Sequence, residues 1–264
     1  METHVMNLFD LTGKTAIITG STKGIGKAIA QRMAQHGANV VVSSRKQDAC
    51  KEVTAEINQN WITGDNRAVS LPCHIHHKDQ LQNLIDKTKL EFGKIDILVC
   101  NAAVNPYHGS ITEIPDSAFD RIMECNIRSN VWLSNMAIED MRTRQDGVII
   151  VISSIGGARG SNELGAYAIS KAADMQIVRN YAVEFGKENI RANCIAPGLI
   201  VTDFARVLYE NPELRAKREA AFPLGRLGQP DEIAGTAVML ASPAGAYVTG
   251  QTIFVDGGAT AAPA

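Results

Sequence analysis

Seven short runs rich in valine and isoleucine punctuate this chain, and stretches with the amphipathic spacing of helices separate them. That alternation is the mark of βαβ units, because parallel strands need a crossover long enough to hold a helix. The predicted strands are Thr15 to Thr19, Asn39 to Ser43, a third near Arg67 to Leu71, Ile95 to Cys100, Gly147 to Ser153, Arg191 to Ile195 and Thr252 to Val255. The predicted helices run from Lys27 to His36, about Asp48 to Asn58, Lys78 to Phe92, about Asp116 to Met141, Ala166 to about Phe185 and Asp231 to Leu240. Residues 199 to 222 read as loop and short helix. The expected fold class is therefore α/β: a Rossmann-type doubly wound parallel sheet of seven strands with helices on both faces. Ligands of such sheets bind at the carboxyl ends of the strands.

A chain of 264 residues can hold one large α/β domain, and without a Pro/Ser-rich linker a single domain over residues 1 to 264 is expected. Apolar residues at 45% and a formal charge of −2 are ordinary for a soluble globular protein and point to neither a nucleic-acid nor a membrane partner. The five cysteines (Cys50, Cys73, Cys100, Cys125, Cys194) are scattered without C-x-x-C spacing, which fits reduced thiols and a cytoplasmic location. Residues Met1 to Asn7 lack a basic region followed by an apolar stretch, so no secretory signal is read there. The final Ala-Ala-Pro-Ala264 carries no recognisable retention or peroxisomal address.

Two stretches carry chemistry. The first is Thr19-Gly20-x-x-x-Gly24-x-Gly26, lying between the first strand and the first helix. Glycines there permit a tight turn and let a pyrophosphate approach backbone N–H groups at the positive end of a helix. At the end of the second strand, where an NAD-selective site usually presents a carboxylate to the ribose, this chain has Ser44-Arg45, and Lys23 adds another cation beside the turn. Both cations suit a 2′-phosphate; the alternative is an ordinary solvated pair.

The second stretch ends the fifth strand. Tyr167 and Lys171 stand four residues apart, one above the other on a helix, and Ser154 lies thirteen residues before the tyrosine. An ammonium beside a phenol favours the phenolate and is expected to bring its pKa down toward working pH, as a general acid/base requires. Ser154 would donate to a carbonyl oxygen held beside that phenol. Tyr-x-x-x-Lys alone arises on many solvated helices, so the reading depends on its setting.

Taken together, these residues resemble the classical branch of the short-chain dehydrogenase/reductase family over about residues 10 to 258. The resemblance implies a dinucleotide-binding half over about residues 10 to 150 and a catalytic, substrate-binding half over about 151 to 258. It assigns Ser154, Tyr167 and Lys171 to catalysis, with Asn126 holding a water that links the lysine to solvent. A buried structural asparagine is the alternative for that position. Gly20, Ser21, Lys23, Gly24, Ile25 and Gly26 would meet the cofactor phosphates, Ser44 and Arg45 would lie at the ribose, and the pairing of Lys23 with Arg45 would mark NADP(H) preference. Cys100-Asn101-Ala102-Ala103 resembles the family's N-N-A-G turn and departs from it at Cys100 and Ala103, so Asn101 and Ala102 would lie beside the ribose. His74 and Ile75 would give backbone contacts to adenine, which, with no metal-spaced partners, makes a metal site of His74, His76 and His77 the weaker reading. Pro197, Gly198, Ile200 and Thr202 would meet the nicotinamide carboxamide, while Tyr167 and Lys171 would also hold its ribose. Gly228 to Glu232 and Asp256 to Gly258 look structural.

Within the family the pattern is similar to the tetrameric carbonyl reductases, which implies a small carbonyl or alcohol substrate and a homotetramer. Arg159 and Glu163, in the loop before Tyr167, and Phe204 and Leu208, in the segment after Thr202, are the candidate substrate contacts. A 3-oxoacyl-thioester reductase shares every motif but needs a basic docking patch, for which Arg121, Arg128, Arg142 and Arg144 are candidates, a solvated face being the favoured alternative. A nucleotide-binding regulator without turnover is a rival of another class, against which the intact Ser154, Tyr167 and Lys171 speak.

Overall fold

The structure is a computed structural model and describes residues 7–261; most of the N-terminal stretch read for a signal, and the last three residues, lie outside it. Its strands are β1 (Thr15–Thr19), β2 (Asn39–Ser43), β3 (Ala68–Ser70), β4 (Ile97–Cys100), β5 (Gly147–Ile152), β6 (Ile190–Pro197) and β7 (Thr252–Val255). All pair in parallel, in the order β3-β2-β1-β4-β5-β6-β7. The chain winds outward from β1 in one direction and from β4 in the other, so the switch of direction falls between those two strands. That is where a crevice opens at the carboxyl edge of such a sheet.

Strand sequences explain the layering. Every residue of β1, β4 and β5 is buried, as a parallel sheet covered on both faces demands. Side chains alternate between faces: Ile18, Val40, Val42, Val99 and Ile150 enter one core with α1 (Gly24–Gln35), α2 (Gln47–Asn60) and α8 (Pro230–Ala241). Ile17, Val41, Leu98, Ile149 and Val151 enter the other with α3 (Lys78–Phe92), α5 (Ser129–Arg144) and α6 (Gly165–Phe185). The apolar stripes of these helices, such as Leu81, Leu84 and Ile85 on α3, explain why each lies flat on the sheet.

Several boundaries differ from expectation for local reasons. The first helix begins at Gly24, three residues early, so the glycine turn is itself the helix start. The long helix expected over 116 to 141 is α4 (Asp116–Met123) and α5, joined by a π-helical turn, Glu124–Arg128. Side chains take up carbonyls of that wider turn: Ser129 Oγ donates to Cys125 O at 2.6 Å and Asn130 Nδ2 to Asn126 O at 2.7 Å. Within residues 199 to 222 the last helix, α7 (Pro212–Ala220), starts where Asn211 caps the N–H groups of Glu213 and Leu214. At the opposite edge of the sheet, buried Asp96 accepts from Thr15 N (2.8 Å) and from Arg144 Nη1 (2.7 Å), tying β1, β4 and α5 together.

Candidate active site

A cavity of about 450 Å³ runs along the carboxyl edge of the sheet, across the β1/β4 switch point. One end is the glycine turn. Gly20 and Gly24 have φ of 66° and 54°, a region that favours glycine, and Lys23 before α1 offers no side-chain cap, so N–H groups of the first turn remain free to bind an anion. A Cβ on Gly26 would lie 2.4 Å from Asn101 Nδ2 and 2.5 Å from Gly20 O. Asn101 in turn donates to Thr19 O at 2.8 Å and Gly20 O at 3.2 Å, so the end of β4 holds the turn in shape.

The residues fit a dinucleotide. Gly20, Lys23, Gly24, Ile25, Gly26, Ser44, Arg45, His74, Ile75, Asn101 and Ala102 line one stretch of the cavity, and Pro197, Gly198, Ile200 and Thr202 line another. Ser21 does not join them: it is fully buried, donates to Ile18 O at 2.7 Å and accepts from Ser43 N at 2.9 Å, which pins the turn to β2. Lys23 is exposed and stands 3.8 Å from Asp203. Arg121, from α4, also lines the cavity, with its guanidinium 3.5 Å from His74 Nε2. Burial, then Arg121, His77 and Arg45, lower the His74 pKa and so keep the ring neutral among cations.

At the other end, Ser154, Tyr167 and Lys171 share the cavity wall. Ser153 Oγ donates to Lys171 O at 2.7 Å and Lys171 Nζ donates to Ile152 O at 2.9 Å, so α6 is fastened to the end of β5 at this turn. The ammonium sits 5.7 Å from the Tyr167 ring centroid, and its other partner is the carboxylate of Asp174, at 2.9 Å. Lys171 is 2% and Asp174 0% exposed, so this is a desolvated salt bridge, in which burial raises the Asp174 pKa and Lys171 and Asn130 oppose that rise without cancelling it. Asn130 Nδ2 completes it with a hydrogen bond to Asp174 Oδ1 at 3.0 Å.

These charges decide the phenol's proton affinity. Burial raises the Tyr167 pKa above its ordinary value; Lys171 lowers it, Asp174 raises it and the Ser154 hydroxyl lowers it, with the net direction upward. The lysine acts as expected, but burial and Asp174 outweigh it, so the expected descent toward working pH is corrected to a rise. Burial by itself would lower Lys171; Asp174 and Tyr167 more than offset it and keep the ammonium charged.

Other expected residues divide. Phe204 lines the cavity with its ring centroid 6.3 Å from that of Tyr167, and Leu208 lines it too. Arg159 and Glu163 are exposed and lie outside the cavity; Glu163 borders a separate hollow with Leu208 and Arg218. Asn126 is buried behind the wall in the π turn, its amide bonded to Val104 N and O at 2.9 and 3.0 Å and to Ser170 Oγ at 3.1 Å. Sequence reasoning missed Asp174 and Asn130, and read Arg121 as a solvated face or part of a docking patch, whereas it lines the cavity. Asp174 did leave a signal: it is an acidic residue three positions after Lys171, on the same helix face.

A parallel doubly wound sheet with a glycine turn at its switch point and a Ser, Tyr and Lys on the wall of the same crevice defines a nicotinamide-dependent oxidoreductase. Residues 20–260 match the family model described as enoyl-(acyl carrier protein) reductase. The cattle protein "Dehydrogenase/reductase SDR family member 4" is 38% identical over 248 residues, 94% of this chain and 88% of that one. A solved 7α-hydroxysteroid dehydrogenase complexed with NADH and 7-oxo glycochenodeoxycholic acid superposes with a TM-score of 0.90 at 39% identity, covering 95% and 96% of the two chains. A gluconate 5-dehydrogenase from Burkholderia cenocepacia in complex with NADP and tartrate gives 0.92 at 29%, covering 98% and 100%. The chain belongs to the short-chain dehydrogenase/reductase family.

Gly157 offers a check on how tightly α6 is seated. A Cβ there would stand 2.6 Å from Lys171 C and 2.8 Å from Ala172 N, in rigid helix backbone. Gly157→Ala is expected to cost about 1–3 kcal/mol of stability, the usual penalty of overpacking. Urea unfolding measures it, and an unchanged midpoint at unchanged slope would show that the helix has slack.

Proposed function

We propose that this protein is an NADP(H)-dependent oxidoreductase that interconverts a ketone or aldehyde with the corresponding alcohol. The observation that carries the reading is that Ser154 and Tyr167 share one wall of the cleft with the largely desolvated ammonium of Lys171. When bound, the nicotinamide supplies or accepts the hydride. The protein does the rest. Ser154 and Tyr167 polarise the carbonyl oxygen, Tyr167 gives up its proton as the alkoxide forms, and Lys171 stabilises the phenolate left behind. Phe204, Val207 and Leu208 give the cleft an apolar wall on the substrate side. Lys171 would also hold the nicotinamide ribose, and Asn126, though its amide is spent on protein partners, ties the π turn to α6 beside it through Ser170.

The pH dependence follows from the raised Tyr167 pKa. Carbonyl reduction needs the protonated phenol, so it is retained at neutral pH and lost as pH rises through that pKa. Alcohol oxidation needs the phenolate and rises over the same alkaline range. A panel of carbonyl compounds assayed by NADPH oxidation tests the reading. Tyr167→Phe is expected to keep cofactor binding and lose at least roughly 10²-fold in turnover, the low end for a positioned acid; variant activity above about one part in a hundred would refute the role.

Cofactor choice rests on charge. Structural neighbours are described with NADH or with NADP bound, so their fold does not discriminate. Here no carboxylate stands at the end of β2, while Lys23, Arg45 and Arg121 line the adenosine end of the cavity. A charge-assisted hydrogen bond is worth roughly 1.5–3 kcal/mol, so Arg45→Ala is expected to weaken NADPH binding about ten- to a hundredfold and NADH binding little. The intact protein should prefer NADPH by at least about tenfold in kcat/KM. Equal efficiency with NADH would reduce Lys23 and Arg45 to a solvated pair.

The rival thioester reductase needs a contiguous basic patch. Arg121 instead faces the cavity, Arg128 pairs with Glu124, Arg142 with Glu188, and Arg144 is half buried between Asp96 and Asp140. The five cysteines are free and buried, in keeping with a reducing compartment such as the cytoplasm, and no helix among the described residues is long and apolar enough to cross a membrane. We also propose a homotetramer, supported by apolar side chains left outside the core on α6 (Ile169, Val183) and near the end of the sheet (Tyr247, Phe254). Analytical ultracentrifugation at micromolar concentration should give four chains per particle; a monomer would overturn it.

A further inference from the structure

Asp174 is a buried carboxylate that the acid/base mechanism of the preceding section does not use. It lies on α6 one turn beyond Lys171, fully enclosed, 2.9 Å from the ammonium and 3.0 Å from the amide of Asn130. A structural ion pair explains this poorly. Removing two charges from water costs several kcal/mol per ion, and a matched apolar pair is often as stable. The pair also sits where its charge matters most, because Lys171 is the group that acts on the phenol.

We infer that Asp174 is a positioning residue for the acid/base site, holding Lys171 Nζ against the end of β5 and opposing part of the ammonium's charge as Tyr167 experiences it. Three contacts orient the lysine side. Ile152 O and Asp174 Oδ2 each accept from Nζ at 2.9 Å, and Ser153 fixes the helix backbone at the same residue. Asn130 then orients the carboxylate, and its own position depends on the π turn, through the carbonyl of Asn126. The consequence is an acid that stays protonated through neutral pH. With only the ammonium near it, the phenol would lose its proton earlier; with the carboxylate in place, the first proton leaves the Tyr167–Lys171 pair at higher pH. The phenol's upward direction, to which Asp174 contributes, agrees.

Among the described residues, Lys171 and Asp174 are the charged groups that act on the Tyr167 phenol. The remaining titratable groups around Asp174 are the thiols of Cys100 on β4 and Cys194 on β6, and burial raises both, Cys100 to about 12. Arg179, also on α6, acts on Cys194. Neither thiol ionises at the pH where a carbonyl reductase works.

The inference rests on Tyr167 and Lys171 being the acid/base pair, so its test reads the phenol directly and needs no substrate. In ligand-free protein, tyrosinate absorbance is titrated with pH, and the transition missing from Tyr167→Phe belongs to Tyr167. Asp174→Asn is expected to move that transition down by about one pH unit or more, the usual effect of a neighbouring charge. Asp174→Glu, which keeps the charge, should leave it within about half a unit of the parent. A transition that stays put in folded Asp174→Asn would overturn the inference, as would equal shifts in both variants. Because losing a buried charge endangers the fold, the unmodified chain gives a second reading. With aspartate carboxyl carbons labelled, the Asp174 resonance, recognised by its absence from Asp174→Glu, should be that of a carboxylate at neutral pH and step when Tyr167 titrates. A neutral acid at pH 7, or no step, would sink the proposal. A failed carbonyl panel with a shifted phenol transition would instead count against the substrate class alone.

Discussion

Much of this molecule depends on keeping one ammonium, that of Lys171, charged and out of water. Burial pushes a lysine toward its neutral form, which carries no positive charge to lower the pKa of a neighbouring phenol. The chain prevents this with two oxygen acceptors, the carbonyl at the end of β5 and the carboxylate of Asp174, and with an N–H of Asn130 that donates to the far oxygen of that carboxylate. Those three come from a strand and two helices. The register of β5 against α6, the seating of Gly157 under the lysine backbone and the turn before α5 are therefore constraints on a single side chain. An ion pair so enclosed contributes little net stability, and its reward lies in fixed geometry.

The other end of the cleft follows different physics. The glycine turn offers backbone donors and the absence of side chains, whereas the cations beside it, Lys23 and Arg45, are long and exposed. Arg45 and Lys23 reach into solvent, so their contribution is screened by salt in a way that the Lys171 site is not.

The sheet was legible because strands buried on both faces read as continuous apolar runs, and β1, β4 and β5 have no polar interruption to blur them. Tyr167, Lys171 and Ser154 were legible because a helix and a strand end fix their relation locally. Ser21 was misplaced because sequence shows that a residue lies in a loop and not which way its hydroxyl turns; here it faces β2. For the same reason the sequence left Arg159 and Glu163 open between substrate contacts and surface charges; both are exposed outside the cavity. Arg121 was read as surface because α4 had no visible relation to the adenosine end until the sheet was assembled. Asp174 escaped because it stands between apolar neighbours on a helix with no strong polar face, where one acid reads as a solvated residue.

The π turn at Glu124–Arg128 bears on how the chain can vary. One extra residue in a helical turn rotates everything after it by about 100° relative to everything before it. Asn126 faces Val104 and Ser170 while Leu133, Ala137 and Met141 still face the sheet, and both conditions hold only with that residue present. Losing one residue there would turn the buried stripe of α5 outward and bring its arginines against the core. In this segment length is as strict a requirement as composition, and related chains should be expected to tolerate exchanged letters there far more readily than a changed count.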